Sequence, residues 1–318
     1  MHKVFITRKI PDIAIKMLKS KYSVRINKED RQLTKKQIIK RAKNIDAILS
    51  LLSDRIDKEV MAAAKGLKVI ANYAVGYDNI DINEAKKRGI IVTNTPGVLT
   101  ETTADLAWAL LFATARRIVE GDKFIRESRF DGWEPTLLLG YDIYGKVLGV
   151  IGTGRIGTAF AMRSKGFNMK VLYYDKKRNP IVEKECKGKQ VTMNRLLKES
   201  DYISVHIPLN KETYHLIGDK EIECMKKTVI LINTSRGAII DEMALADALR
   251  KNVIAGAGLD VYEREPSITR KLLNLGNVVL TPHIGSASYE TRAKMAVMAA
   301  QSIIDVLEGK IPKNIVNK

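Results

Sequence analysis

Short apolar runs alternate with segments of helical periodicity along the first 93 residues. This alternation predicts a parallel sheet whose helices cover both faces, because each strand needs a crossover before the next parallel strand. The predicted strands are residues 4–7, 24–26, 47–51, 69–71 and 90–93, and the predicted helices lie near 11–20, 34–43, 57–65 and 81–88.

A second series of alternating elements runs from about residue 101 to residue 284. Its predicted strands lie near 147–151, 170–174, 202–206, 229–233, 254–259 and 277–281. One long helical pattern, 102–127, precedes this series, and another, 288–309, ends the chain. We expect the last helix to return to the first sheet.

The most informative segment is residues 146–175, KVLGVIGTGRIGTAFAMRSKGFNMKVLYYD. A strand runs into Gly152-x-Gly154-x-x-Gly157, a helix follows, and a second strand ends at Asp175. This is the dinucleotide-binding pattern in its expected context, with a tight turn at Gly152, close pyrophosphate approach at Gly154 and close helix packing at Gly157. The helix N-terminus offers free N–H groups to the phosphates.

The residues at the end of that second strand bear on the choice of cofactor. Asp175 favours NAD(H), because a carboxylate accepts hydrogen bonds from ribose hydroxyls and repels a 2′-phosphate. Lys176, Lys177 and Arg178 follow directly and offer an alternative site for the phosphate of NADP(H). We expect NAD(H), with NADP(H) as the alternative.

These patterns predict an α/β protein with two doubly wound parallel-sheet domains. We expect a Rossmann-type nucleotide domain, residues 101–285, inserted in a flavodoxin-like substrate domain, residues 1–100 plus 286–318. Because ligands bind at the carboxyl ends of parallel strands, we expect the active site between the two domains.

Composition narrows the class of partner. The net charge of +18 raises the question of nucleic acid, but the basic residues of the first 43 positions lie at helical spacing opposite apolar ones, with no aromatic platform. We therefore expect no nucleic-acid role.

No apolar run approaches the ~20 residues that cross a membrane, and no signal peptide is recognisable, so a cytoplasmic protein is expected. The two cysteines lack metal-ligand spacing, and no metal site is expected.

Three loops after predicted strands of the second series each carry one strong polar residue: Arg236 in NTSRG, Glu265 in GLDVYEREP and His283 in TPHIGS. Reduction of a 2-oxo acid needs these groups. A guanidinium binds the substrate carboxylate in bidentate fashion, an imidazole donates a proton near neutral pH, and a carboxylate orients the imidazole.

Several linked motifs resemble the D-isomer-specific 2-hydroxyacid dehydrogenase family over nearly the whole chain. They are VGYDNID (75–81), NTPGV (94–98) continuing to Ala104-Asp105, the glycine fingerprint, SRG, GLDVYEREP and TPHIGSA. The segment LLLGYDIYGK (137–146) after Trp133 resembles the archaeal-type glyoxylate/hydroxypyruvate reductases within it.

The resemblance implies a role for individual residues. Arg236 would bind the substrate carboxylate and carbonyl, His283 would donate the proton, and Glu265 would be its partner. The backbone of Val75 and Gly76 would hold the carboxylate, and Asp260 would orient the nicotinamide carboxamide. The implied cofactor site also includes Thr153, Gly154, Arg155, Ile156, Pro208, Thr213, Thr234, Ser235 and Gly285.

The resemblance also implies a homodimer built largely on residues 101–145. Trp133 would reach the neighbouring subunit's substrate pocket or anchor the dimer interface. The expected function is NAD(P)H-dependent reduction of glyoxylate or hydroxypyruvate to glycolate or D-glycerate. D-3-phosphoglycerate dehydrogenase and a D-lactate-type enzyme are the alternatives within enzymes, and an NAD(H)-sensing binding protein is the alternative outside them.

Overall fold

The computed structural model describes all residues, 1–318. The chain forms two compact units, and each has its own sheet. Unit 1 comprises Met1–Leu99 and Ser286–Lys318, and unit 2 comprises Thr100–Gly285.

Every strand pair in both sheets is parallel, which confirms the predicted fold class. The strands are β1 (Lys3–Ile6), β2 (Ser23–Ile26), β3 (Ala47–Ser50), β4 (Val69–Asn72), β5 (Ile91–Thr93), β6 (Val147–Ile151), β7 (Lys170–Tyr174), β8 (Lys189–Gln190), β9 (Tyr202–Val205), β10 (Ile230–Asn233), β11 (Gly256–Leu259) and β12 (Val278–Leu280). Unit 1 has the order β2-β1-β3-β4-β5, the flavodoxin-like arrangement, and unit 2 has β12-β11-β10-β9-β6-β7-β8. The second order is the Rossmann order with one further strand.

Helices cover the two sheets, and several of them begin at a residue whose side chain caps the first turn. Asp57, Asp81, Asp241 and Ser288 each accept a hydrogen bond from a first-turn N–H. The helices are α1 (Asp12–Lys19), α2 (Lys35–Ala42), α3 (Lys58–Ala63), α4 (Ile82–Lys87), α5 (Thr100–Ala115), α6 (Ile118–Arg126), α7 (Arg155–Arg163), α8 (Pro180–Cys186), α9 (Met193–Glu199), α10 (Asp219–Glu223), α11 (Glu242–Arg250), α12 (Arg270–Leu273) and α13 (Tyr289–Leu307).

The single long helix predicted over 102–127 is wrong, because the chain breaks it into α5 and α6. Arg117 has a φ of 51°, and its guanidinium pairs with Glu120 at 2.7 Å. A left-handed residue cannot continue an α-helix. The prediction of strands also missed β8, whose two polar, exposed residues carry no apolar signal.

Buried apolar residues lie on both faces of the sheet of unit 1, and they form two cores on opposite faces of the sheet in unit 2. In unit 2, Trp108 stacks on Phe160 and Phe167 at ring-centroid distances of 5.1 Å, and its Nε1 donates to the Phe160 carbonyl at 2.9 Å. In unit 1, α13 packs against the sheet, as expected of the last helix. None of the helices combines the length and apolar character that a membrane span requires.

Candidate active site

The glycine fingerprint lies in the turn between β6 and α7, and two of its glycines are required by close contacts. Gly152 has a φ of 90°, and a Cβ there would lie 2.8 Å from the His206 carbonyl oxygen. A Cβ on Gly157 would lie 1.9 Å from the Gly152 carbonyl oxygen. At Gly154 a Cβ would meet nothing within 4 Å. The backbone at Gly154 is therefore open to an approaching ligand.

The first turn of α7 has the features that suit an anion. Its N-cap, Gly154, forms no side-chain capping bond, and the turn holds no acidic residue. The N–H groups of Arg155, Ile156 and Gly157 therefore have no intrahelical acceptor, and they point with the positive end of the helix dipole. This arrangement fits the pyrophosphate of a dinucleotide.

Asp175 lies immediately after β7, beside the fingerprint turn. Its Oδ2 accepts hydrogen bonds from the Thr153 N–H at 2.7 Å and the Thr153 hydroxyl at 3.1 Å. Two of the three basic residues that follow are paired with acids: Lys176 with Glu212 at 2.6 Å and Arg178 with Glu183 at 2.7 Å. Lys177 forms no ion pair.

The loops after β9 and β10 carry the remaining polar residues expected near the cofactor. The Thr213 hydroxyl donates to the Pro208 carbonyl at 2.7 Å, which closes the loop after β9. After β10, the N–H and hydroxyl of Ser235 donate to Asn233 Oδ1. The hydroxyl of Thr234 is buried and has no hydrogen-bond partner. An orphaned buried hydroxyl is costly, so it fits a position that a ligand completes.

His283 and Glu265 form the expected pair. His283 Nδ1 lies 2.8 Å from Glu265 Oε2, and about a quarter of the His283 side chain is exposed. Burial would raise the pKa of Glu265, but the hydrogen bond and charge of His283, with the nearby charge of Arg236, hold that pKa below its ordinary value. The Tyr262 N–H also donates to Glu265 Oε1 at 3.0 Å. Because Nδ1 is engaged, Nε2 is the ring nitrogen left for a substrate.

Arg236 lies in the loop after β10, which packs directly against the loop carrying Glu265. The two loops touch at Gly237, where a Cβ would lie 1.9 Å from the Tyr262 carbonyl carbon. The Asn233 side chain donates to the Arg236 carbonyl at 2.9 Å. The fold of unit 2 thus brings the guanidinium, carboxylate and imidazole loops together.

Asp260 fixes the loop that carries His283 through three hydrogen bonds. This fully buried carboxylate accepts hydrogen bonds from the Thr281 hydroxyl at 2.6 Å and from the Ile284 and Gly285 N–H groups, both at 2.8 Å. Burial raises the pKa of Asp260, and these donors oppose the rise. His283 itself has a φ of 55°. Asp260 therefore stabilises a turn that a non-glycine residue seldom adopts.

Sequence reasoning did not assign roles to Tyr262 and Gly237, which join the three loops. The Tyr262 hydroxyl donates to the Thr281 carbonyl at 2.9 Å, which ties the Glu265 loop to the His283 loop. Both residues stand inside the motifs that carry Arg236 and Glu265. Their position in those motifs was the available signal, but the contacts they make depend on the tertiary structure.

In unit 1, Val75 and Gly76 lie in the loop after β4. The Asn94 side chain donates to the Val75 carbonyl at 2.8 Å, and the Asn72 side chain donates to the Gly76 carbonyl at 2.8 Å. The N–H groups of Val75 and Gly76 have no acceptor in the chain. Two oriented, unused N–H groups suit an anionic oxygen.

Other candidates show no constellation of their own. Trp133 lies in the loop after α6, and its side chain is 84% exposed. No group of three or more His, Cys, Asp or Glu side chains is arranged to hold a metal ion. Both cysteines are free.

A doubly wound sheet with an open glycine turn, and a histidine–carboxylate pair beside an arginine loop, define a dinucleotide-dependent oxidoreductase. The family description "D-isomer specific 2-hydroxyacid dehydrogenase, NAD binding domain" matches residues 108–285. The chain belongs to this family and is an NAD(P)-dependent D-2-hydroxyacid dehydrogenase, as the sequence motifs predicted.

Relatives and solved structures support the same assignment over the whole chain. A glyoxylate reductase from Thermococcus litoralis is 53% identical, with 99% of this chain and 97% of that protein covered. The crystal structure of the TT0316 protein from Thermus thermophilus has a TM-score of 0.94 at 44% identity, with 99% of each chain covered. A glyoxylate/hydroxypyruvate reductase from Sinorhizobium meliloti, solved with NADP and malonate, has a TM-score of 0.87 at 29% identity, with 99% and 96% covered.

Proposed function

We propose that this protein reduces glyoxylate and hydroxypyruvate to glycolate and D-glycerate, with NADH as the favoured donor. The observation that carries the proposal is the 2.8 Å pair of His283 and Glu265 beside the Arg236 loop. The glyoxylate reductases named among the relatives support the substrate class.

His283, Glu265 and Arg236 each have a distinct task in this reaction. The dinucleotide, when bound, supplies the hydride that forms the new C–H bond on carbon 2. As negative charge develops on the carbonyl oxygen, His283 donates a proton from Nε2, and the product alcohol forms. Glu265 accepts the hydrogen bond of Nδ1, which fixes the orientation of the ring and leaves Nε2 to the substrate. Arg236 neutralises the substrate carboxylate and polarises the carbonyl.

As the family resemblance implies, the loop of unit 1 that carries Val75 and Gly76 would also bind the substrate carboxylate. The unused N–H groups of Val75 and Gly76 would donate to it. Because Asn72 and Asn94 fix the carbonyls of these residues, the two donors are oriented before the substrate arrives. Such preorganisation lowers the cost of binding.

The dinucleotide would lie along the start of α7, with Asp260 and Gly285 near the nicotinamide as the family resemblance implies. Preference for NADH is supported by the charges at the adenosine end. Asp175 is fixed by Thr153, while Lys176 and Arg178 are already paired with acids, so Lys177 alone remains for a 2′-phosphate. NADPH would therefore bind more weakly than NADH.

Replacing Asp175 with Ser should lower the NADH-to-NADPH ratio of kcat/KM by about tenfold or more, and a ratio unchanged by this variant would count against the assignment.

The active form would be a homodimer. Helix α6 has no buried residue, and Ile118, Val119 and Ile125 are each more than half exposed, as is Trp133 in the following loop. Exposed apolar groups in one region mark an interaction surface. Sedimentation should give twice the chain mass, and Ile125→Lys should shift the protein towards a monomer.

The free thiols of Cys186 and Cys224 suit a reducing compartment, and we propose the cytoplasm as the location of this protein.

The first measurement is the initial rate on glyoxylate and hydroxypyruvate with NADH and with NADPH, for the wild type, His283→Ala and His2→Ala. His283→Ala should lose at least about a hundredfold in turnover, because general acid catalysis is worth ~10²–10⁴-fold, and it should still bind NADH. His2→Ala, a change of an N-terminal histidine outside the site, is the matched control. Turnover unchanged in His283→Ala would exclude this mechanism.

A further inference from the structure

A hydrogen-bond network joins the connection between β7 and α8 to the glycine turn. Its centre is Asn179, the residue that immediately precedes α8, and the Asn179 side chain is partly buried. That side chain bonds to groups of the glycine turn, of α7 and of the first turn of α8. The Asn179 N–H also donates to the Tyr173 hydroxyl of β7 at 2.9 Å. Asn179 is therefore fixed by four segments of unit 2.

The two ends of the Asn179 amide have different partners. Its Oδ1 accepts hydrogen bonds from the N–H groups of Ile181 and Val182, both at 3.1 Å, and so caps α8. Its Nδ2 donates to the Thr153 carbonyl at 2.8 Å and to the Thr158 hydroxyl oxygen at 2.8 Å. An N–H group can only donate and a carbonyl can only accept, so these partners fix which way the amide is turned.

Thr153 is fixed on both sides of its Cα atom. Its N–H donates to Asp175 at 2.7 Å, and its carbonyl accepts hydrogen bonds from Asn179 and, at 2.9 Å, from the Thr158 hydroxyl. The peptide bond between Thr153 and Gly154 is trans, so the Gly154 N–H points opposite to the Thr153 carbonyl. The Gly154 N–H therefore points away from Asn179, and it donates to no acceptor in the chain.

We propose that Asn179 is a positioning residue for the dinucleotide. By binding the Thr153 carbonyl, it keeps the Gly154 N–H turned towards the pyrophosphate. Glycine restrains its own backbone least of all residues, so the orientation of this peptide has to come from such outside contacts. A donor that is oriented before the ligand arrives binds it at lower cost. The inference rests on the proposed function only for the position of the dinucleotide along the start of α7.

The test compares the Kd of NADH, measured by fluorescence, and the Kd of ADP-ribose, measured by calorimetry, in the wild type and in Asn179→Ser. Serine caps a helix about as well as asparagine, but its side chain is too short to reach the Thr153 carbonyl. Both Kd values should rise about fivefold, which is the effect of one hydrogen bond. The kcat at saturating NADH and the KM for glyoxylate should change less, because the lost bond lies at the pyrophosphate and not at the reacting carbon.

The matched control is Thr192→Ala, which removes a cap elsewhere in unit 2. The Thr192 hydroxyl caps α9 by accepting from the Arg195 N–H at 3.3 Å, and it forms no hydrogen bond with the glycine turn. This variant should lower the urea midpoint and leave both Kd values at those of the wild type. ADP-ribose keeps the pyrophosphate and lacks the nicotinamide, so equal losses for the two ligands assign the effect to the pyrophosphate.

The outcomes separate this inference from the proposed function. Kd values within about twofold of the wild type in folded Asn179→Ser would overturn the inference, because one lost hydrogen bond should exceed that factor. A loss for NADH without a loss for ADP-ribose would also overturn it. If Asn179→Ser fails to fold, Thr158→Val removes the other donor to the Thr153 carbonyl and should raise both Kd values in the same way. Absence of turnover on every 2-oxo acid would overturn the proposed function, while the two Kd values would still decide the role of Asn179.

Discussion

The contact at Gly237 gives the sharpest test of how unit 2 positions its catalytic groups. An alanine Cβ at this position would lie 1.9 Å from the Tyr262 carbonyl carbon, 2.2 Å from its oxygen and 2.4 Å from the Glu263 nitrogen. All three are backbone atoms, which cannot rotate away as a side chain can. Ordinary contact begins near 3.4 Å. The loop of Arg236 and the loop of Glu265 would therefore have to separate by about 1 Å or more.

The expected consequence is a large loss of activity in Gly237→Ala. A misplacement of about 1 Å in a catalytic constellation costs about a hundredfold, so kcat/KM for glyoxylate should fall by that factor. Overpacking should also lower the free energy of unfolding by about 1–3 kcal/mol, which urea titration measures. Gly166→Ala is the matched control, because its Cβ would meet nothing within 4 Å.

The assay must separate misplacement from unfolding. NADH binding by fluorescence and the urea midpoint report on the folded fraction, and steady-state rates report on the catalytic groups. A folded Gly237→Ala protein that keeps kcat/KM within about threefold of the wild type would refute the reasoning. In that case the separation of the two loops would not govern the reaction.

Three further predictions follow from particular contacts. Burial lowers the pKa of His206 from 6.5 to about 3, with the ring against Phe160 and Nε2 2.8 Å from the Ser204 hydroxyl. Below pH 6.5 the His206 imidazole takes up a proton in the unfolded chain but stays neutral in the folded chain. The free energy of unfolding should therefore keep its full value above pH 6.5 and fall by at most about 2 kcal/mol by pH 5. Urea titrations should show a smaller fall in His206→Gln, and equal falls would contradict the assignment. Trp108→Ala should cost about 3–5 kcal/mol in the free energy of unfolding, because it removes a stacked core side chain and its hydrogen bond; a loss below 1 kcal/mol would mean that the core closes over the space. Asn72→Ala should raise the KM for glyoxylate severalfold while kcat changes less, because the Gly76 carbonyl loses its donor. A selective loss of kcat would assign Asn72 a different role.

Local patterns determined much of this protein. Apolar strands buried on both faces are continuous apolar runs, so the sequence predicted eleven of the twelve strands and the parallel α/β class. The glycine fingerprint and the three loop motifs are short segments whose chemistry can be inferred from the sequence alone. They were sufficient for the family and for the residues proposed to act in it.

Tertiary structure decided what depends on contacts between distant segments. The break at Arg117 within a helical pattern lies where a distant segment makes contact, since the Tyr141 N–H donates to the Ala115 carbonyl at 2.9 Å. Lys176 and Arg178 pair with acids up to 36 residues away. These ion pairs leave fewer residues of the basic run after Asp175 for a 2′-phosphate. The backbone contact at Gly237 joins loops that are far apart in the chain. Periodicity reports which face of an element is buried, but the distance between two loops is set by how whole elements pack.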